Sequence, residues 1–280
     1  MRNILYTTIV DAVSKLVREA NTLLPADVLG RIEEMRGQER SPAALNILDQ
    51  IVDNVAIANE CDLPLCQDTG IAIFFVDVGE DISVDGGGLE QALNDGVRKG
   101  YTDGGLRMSI VDDPFKRINT GDNTPAVVHV RLLPGDQLTI TFCPKGGGCE
   151  NMSSLAMLSP GQGRAGVVDF VVDTVRSGGG RPCPPLIVGV GVGGSFELSA
   201  ILAKRSLLRD IGERHTDQFY SDLEGELLEK INNLGIGPMG LGGSTTALDV
   251  FVESAPCHIA SLPVAVNIQC HSARHQTLEL

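Results

Sequence analysis

Five consecutive residues, Cys66-Gln67-Asp68-Thr69-Gly70, gather a thiol, an amide, a carboxylate, a hydroxyl and a permissive glycine just before the apolar run Ile71-Ala72-Ile73-Phe74-Phe75-Val76. Groups at the edge of a strand can be held rigidly and still reach solvent, so this stretch is a candidate corner of a reactive metal site. A turn with a buried thiol accounts for the same residues, because free cysteine is among the most buried side chains. The seven cysteines, at 61, 66, 143, 149, 183, 257 and 270, contain no CxxC pair, so ligands to any metal come from far apart in the chain. Cys66, Cys183 and Cys270 each stand where a loop meets a strand, beside a proline or a polar residue able to act chemically. Cys61, in a helix end, and Cys143, at a strand end, suit ordinary burial. Taken jointly, the first three could hold an iron–sulfur cluster, which ordinarily takes four cysteines. Three would leave one iron open, as catalytic metal sites require, and that iron is a Lewis acid. His258 and His271 flank the last long strand, and with Asp68 as partner a histidine there could shuttle a proton.

Two glycine clusters invite other readings. Gly189, Gly191 and Gly194 satisfy GxGxxG after a strand and before a helix. The dinucleotide fold also needs a second strand ending in an acidic residue about 20 positions on. Asp210 has the spacing but closes a helix, so close helix–strand packing, or a helix N-terminus facing a small carboxylate, explains the string better. Lys145-Gly146-Gly147-Gly148 could form an anion-binding concavity of backbone N–H groups, or simply a surface turn.

Composition narrows the function. With 22 basic and 36 acidic residues the formal charge is −14. That argues against a nucleic-acid partner, and a site for an anionic substrate must concentrate its few cations locally. No run approaches the length of a membrane span and no signal-peptide core follows Met1, so a soluble cytoplasmic protein with reduced thiols is expected.

The elements that must position these groups alternate between helical and strand patterns, which defines an α/β fold: a helical lead-in over about 1–60, then a mixed β-sheet with flanking helices, all as a single domain of residues 1–280. Pro25 suits the first turn of a helix towards Met35, and Ser41-Pro42 reads as an N-cap followed by an N1 proline. Strands are expected near 71–78, 127–132 and 138–142, the last two as a hairpin about Pro134-Gly135-Asp136. Further strands are expected at 186–188, 246–252 and 262–268, and helices at about 89–99, 167–175, 195–209 and 217–233.

In these residues the chain resembles a known family. Cys66-Gln67-Asp68-Thr69-Gly70, Asn119-Thr120-Gly121-Asp122-Asn123-Thr124, Lys145-Gly146-Gly147-Gly148, Cys183-Pro184-Pro185, Gly235-Ile236-Gly237-Pro238, His258 through Asn267, and Cys270-His271 are similar to the class I iron–sulfur fumarate hydratases and the related L-tartrate dehydratases. The resemblance runs in order along the whole chain and fits the alpha subunit of the two-subunit form, equivalent to the N-terminal domain of single-chain members. It implies a [4Fe-4S] cluster on Cys66, Cys183 and Cys270, substrate contacts from Gln67, Arg107 and Gly147, and proton handling by Asp68 with His258. It also implies a beta subunit that supplies a threonine base and further cations, a dicarboxylate substrate, and self-association through alpha subunits. Cys149 and Cys257 depart from the serine and threonine expected close to that site. Within the class, fumarate hydration is the leading expectation and L-tartrate dehydration the alternative. A non-catalytic cluster-bearing subunit or a nucleotide-binding module is the reading from a different class.

Overall fold

In the computed structural model, which describes residues 1–280, the elements run in the order β1 (Arg2–Leu5), α1 (Tyr6–Thr22), α2 (Ala26–Gln38), α3 (Pro42–Cys61), β2 (Ile71–Gly79), β3 (Ile82–Asp85), α4 (Leu89–Asp103), β4 (Val127–Leu133) and β5 (Leu138–Lys145). They continue with α5 (Gly147–Glu150), β6 (Ser154–Leu158), α6 (Gly163–Gly178), β7 (Leu186–Gly193), α7 (Phe196–Ser206), α8 (Gln218–Asn232), β8 (Ala247–Ala255), β9 (Leu262–Gln269) and β10 (Gln276–Glu279). The α/β class is as expected. The helical lead-in holds apart from the short β1, and Ser41 Oγ caps α3 by accepting from Ala44 N at 3.4 Å. The chain divides into two compact units, one of residues 1–24, 55–147 and 274–280 and one of residues 25–54 and 148–273.

In the first unit a four-stranded sheet has the order β10-β5-β2-β4. The expected hairpin of β4 and β5 does not form: β2 lies between them, parallel to β4 and antiparallel to β5. The reason is hydrophobic ranking. Five consecutive residues of β2, Ala72 to Val76, are buried, whereas no residue of β4 is buried and that strand takes the edge. The link from β4 to β5 therefore bridges the end of β2, where Gly79 N donates to Gln137 O at 2.8 Å and Asp81 N to Gly135 O at 2.9 Å. One core unites this sheet with α1 and α4 through Val13, Val17, Phe74, Val97, Tyr101 and Phe142.

In the second unit the sheet order is β6-β9-β7-β8, with β7 parallel to β8 and antiparallel to β9. Gly189 and Gly191 lie inside β7 rather than in a loop after it, and Gly194 follows its last residue. A Cβ at Gly189 or Gly191 would overlap the backbone of α7, at Ala203 O and Ser199 O respectively. Close helix–strand packing is therefore what these glycines provide. Valines and isoleucines of β7, β8 and β9 form the core with α6 and α8. Buried Glu39 binds two separate segments here. It accepts from Arg40 N and Ser41 N on one side and from the Ser244 and Thr245 backbone and hydroxyls on the other. No helix is long and apolar enough to cross a membrane.

Candidate functional site

In the first unit, strand register delivers Cys66–Gly70 and the Lys145 glycine loop to one place. Ile71 pairs with Lys145, so the pentapeptide entering β2 meets the loop leaving β5. Gly70 has φ +75°, and a Cβ there would lie 2.6 Å from the Lys145 carbonyl carbon, so only glycine fits. The Asp68 carboxylate accepts from Gly70 N at 3.0 Å and from Gly147 N at 2.8 Å. The anion held by the glycine loop is thus a carboxylate of this chain. Cys66 Sγ accepts from Asp68 N at 3.4 Å and lies 3.5 Å from Gln67 Oε1. Gln67 and Arg107 are exposed, while Cys66 and Asp68 are half-buried.

Three buried side chains bind the carbonyls of this turn. Arg274 Nη2 donates to Asp68 O at 2.9 Å. Tyr101 Oη reaches Thr69 O at 2.7 Å and Gly70 O at 3.2 Å. Asn123 Nδ2 donates to Gly70 O at 3.1 Å. Burial pushes the Tyr101 hydroxyl well above its ordinary range, against the pull of nearby Arg274, so it remains a donor. Thr69 Oγ1 donates to Arg107 O at 2.7 Å. The Asn119–Thr124 motif supports the same loop: Asn119 Nδ2 holds Met108 O at 3.0 Å and Asn123 Oδ1 holds Ser109 N at 2.7 Å. Met108 and Ser109 directly follow Arg107, which explains the motif as a brace for a cationic loop. Sequence reasoning found neither Tyr101 nor Arg274. The only available signal was a tyrosine on the apolar face of a helix and an arginine four residues after Cys270.

In the second unit, Cys183 precedes β7 and Cys270 follows β9. Because Ile187 pairs with Gln269, the two cysteines stand at the same end of the sheet. The Cys183 carbonyl meets His271 Nδ1 at 3.0 Å and His271 N at 3.5 Å. Cys183 itself has φ +57°, a conformation costly for a residue with a Cβ and held here between Gly180 O and His271. His258 is elsewhere. It occupies the exposed turn from β8 into β9, at the opposite end of an eight-residue strand from Cys270. At about 3.3 Å per residue that strand spans roughly 26 Å. His258 Nδ1 accepts from Ala260 N at 3.1 Å, and its ring lines an apolar cavity of about 360 Å³ with Cys257, Phe219 and Tyr220. Cys257 therefore does not neighbour the Cys183–Cys270 end, and Cys149 belongs to the hydrophobic core.

None of the seven cysteines is in a disulfide. Cys143 and Cys149 are buried, Cys61 and Cys257 exposed, and the three half-buried ones are Cys66, Cys183 and Cys270. Cys61 thus departs from its expected burial because the last turn of α3 is exposed. No group of three or more His, Cys, Asp or Glu side chains is gathered for a single metal ion. Cys66 in the first unit and Cys183 and Cys270 in the second each present a half-buried thiol, the donor type that an iron–sulfur cluster takes.

A family model described as "Fumarate hydratase (Fumerase)" matches residues 10–279. A protein named "Putative L(+)-tartrate dehydratase subunit alpha" from Methanocaldococcus jannaschii is 46% identical over 270 residues, covering 94% of each chain. The "L(+)-tartrate dehydratase subunit alpha" of Escherichia coli strain UTI89 is 34% identical over 274 residues, covering 96% of this chain and 90% of its own. That of strain K12 is 34% identical over 272 residues. The family match and the relatives' names define a hydro-lyase. The chain belongs to the fumarate hydratase (Fumerase) family.

Proposed function

We propose that this chain is the alpha subunit of a two-subunit hydro-lyase that moves water reversibly on and off a four-carbon dicarboxylate. The observation that supports it most is the Asp68 carboxylate, fixed by Gly70 N and Gly147 N and set two residues from the half-buried Cys66. Cys66, Cys183 and Cys270 would hold a [4Fe-4S] cluster. The cluster supplies, when bound, a Lewis-acidic iron for a hydroxyl and a carboxylate of the substrate. Gln67 and Arg107, both exposed, bind the dicarboxylate, Arg107 as its counter-charge. Asp68 exchanges the proton of the departing or arriving hydroxyl. Gly147 orients Asp68 through its N–H, so its part in substrate binding runs through that carboxylate.

His258 serves this chemistry only from a second copy of the chain, because it stands a full strand length from Cys270 within its own unit. Self-association of alpha subunits would bring it to the partner's site. The remaining base and cations come from a beta subunit, which the printed names of the relatives support.

The relatives' names make L(+)-tartrate the first substrate reading, with oxaloacetate as the dehydrated product. Fumarate, ranked first from the sequence, becomes the second reading, supported by the family model's description and by the Thr120–Pro125 and Lys145–Ser153 stretches. Co-expression with a candidate beta subunit and anaerobic assay against L(+)-tartrate, fumarate and (S)-malate tests both. Turnover of tartrate at least tenfold above fumarate, in kcat/KM, is expected. The reverse ratio moves the assignment to fumarate, and no turnover of any of them overturns the hydro-lyase reading.

A further inference from the structure

Arg274 is 3% exposed. Its guanidinium donates to Asp68 O at 2.9 Å and to Asn21 Oδ1 at 3.4 Å, makes no ion pair, and leaves Nε buried without a partner. Burying an arginine in this way is costly, and a neutral amide could make the same hydrogen bond at lower cost. Asn123 does this for the next-but-one carbonyl of the same turn. The fork also has the geometry to fix a carbonyl while tying it to α1, because Asn21 lies in that helix and its own Nδ2 is anchored on Val17 O at 2.8 Å.

We propose that Arg274 is a positioning residue for the reaction, holding the Asp68 peptide in register within the turn that presents the Asp68 carboxylate. This rests on the role given to Asp68 above. Arg274 itself touches the backbone, not the substrate, so its effect falls on turnover rather than on binding.

The test uses the full chain with its beta subunit and, separately, the full chain alone without cluster. In the complex, Arg274→Met is expected to lower kcat about 100-fold with KM changed by less than about twofold, and Arg274→Lys, which keeps charge but loses the fork, about tenfold. In the cluster-free chain, amide exchange of the 66–70 segment should speed up at least about tenfold in Arg274→Met and less in Arg274→Lys, while α6 and β7 in the second unit keep wild-type protection. Asp68→Asn is run beside them. If Asp68→Asn retains turnover, the role of Asp68 fails irrespective of Arg274. If Asp68→Asn is inactive but both Arg274 variants keep wild-type kcat, or lose only KM, the positioning role is overturned. Should Arg274→Met not fold, Arg274→Lys alone decides: unchanged kcat with unchanged 66–70 exchange contradicts the proposal.

Discussion

The Asp68 turn and the Cys183–Cys270 end are held by different physics. The turn in the first unit is fixed by long-range side-chain donors, Arg274, Tyr101 and Asn123, each buried and each binding a carbonyl of residues 68–70. The cysteine end of the second unit is fixed by main-chain register between β7 and β9, by the His271 contact to Cys183 O, and by glycines that let α7 rest on β7. Where side chains do the holding, a single substitution can loosen the chemistry and leave the fold intact. Where register does it, a substitution that disturbs the site disturbs the whole sheet.

That contrast can be broken most forcefully at Gly191. Gly191→Ala puts a methyl group into the Ser199 carbonyl, and overpacking of a helix on a central strand should cost about 3 kcal/mol, read as a lower urea midpoint. Wild-type stability in that variant would remove the close-packing account of the glycine string.

Glu39 gives a second handle on the same unit. Burial pushes its carboxyl up, but donors from Ser41, Arg40 and Ser244 outweigh that and bring it down to about 2 from an ordinary 4.5. A depressed folded value means the stabilisation is fully present above pH 4.5 and drains away as pH falls towards 2. It amounts to about 3 kcal/mol at neutral pH. Glu39→Gln should lose that stability at pH 7 and show a flatter acid profile between pH 4.5 and 2, as followed by denaturant unfolding at each pH.

In the first unit the expected effects on stability are smaller. Tyr101→Phe removes one hydroxyl and leaves Thr69 O without its buried donor, a loss of about 2 kcal/mol. Its effect on kcat should exceed that of Gly191→Ala measured on the folded fraction. Smallest of all, Asn119→Ala frees Met108 O beside Arg107 and should cost about 1 kcal/mol, with a rise in KM and little change in kcat. If KM stays fixed, the brace does not steer Arg107.

Legibility in the sequence followed the same division. Periodicity and caps located α2, α3 and α8 and the long strands, because these depend on local pattern. The pairing of β4 with β2 was missed, since turn residues at Pro134–Asp136 read as a hairpin and only the competition of β2 for the centre excludes it. The cysteines and Asp68 stood out by type and by junction with strands. The clamp around them did not, because Tyr101 and Arg274 are 32 and 206 residues away from the carbonyls they bind. The placement of His258 at the far end of β9 was equally hidden, since a residue close to a strand in sequence can stand at either end of it.

The most direct test of the central claim is iron and sulfide content with dicarboxylate turnover after anaerobic reconstitution, for the wild-type pair and for Cys66→Ala, Cys183→Ala and Cys270→Ala. The account predicts about four irons per alpha chain with turnover in the wild type, and loss of both in each variant, while Cys61→Ala keeps both. Full iron loading and full turnover in the combined triple variant would contradict it.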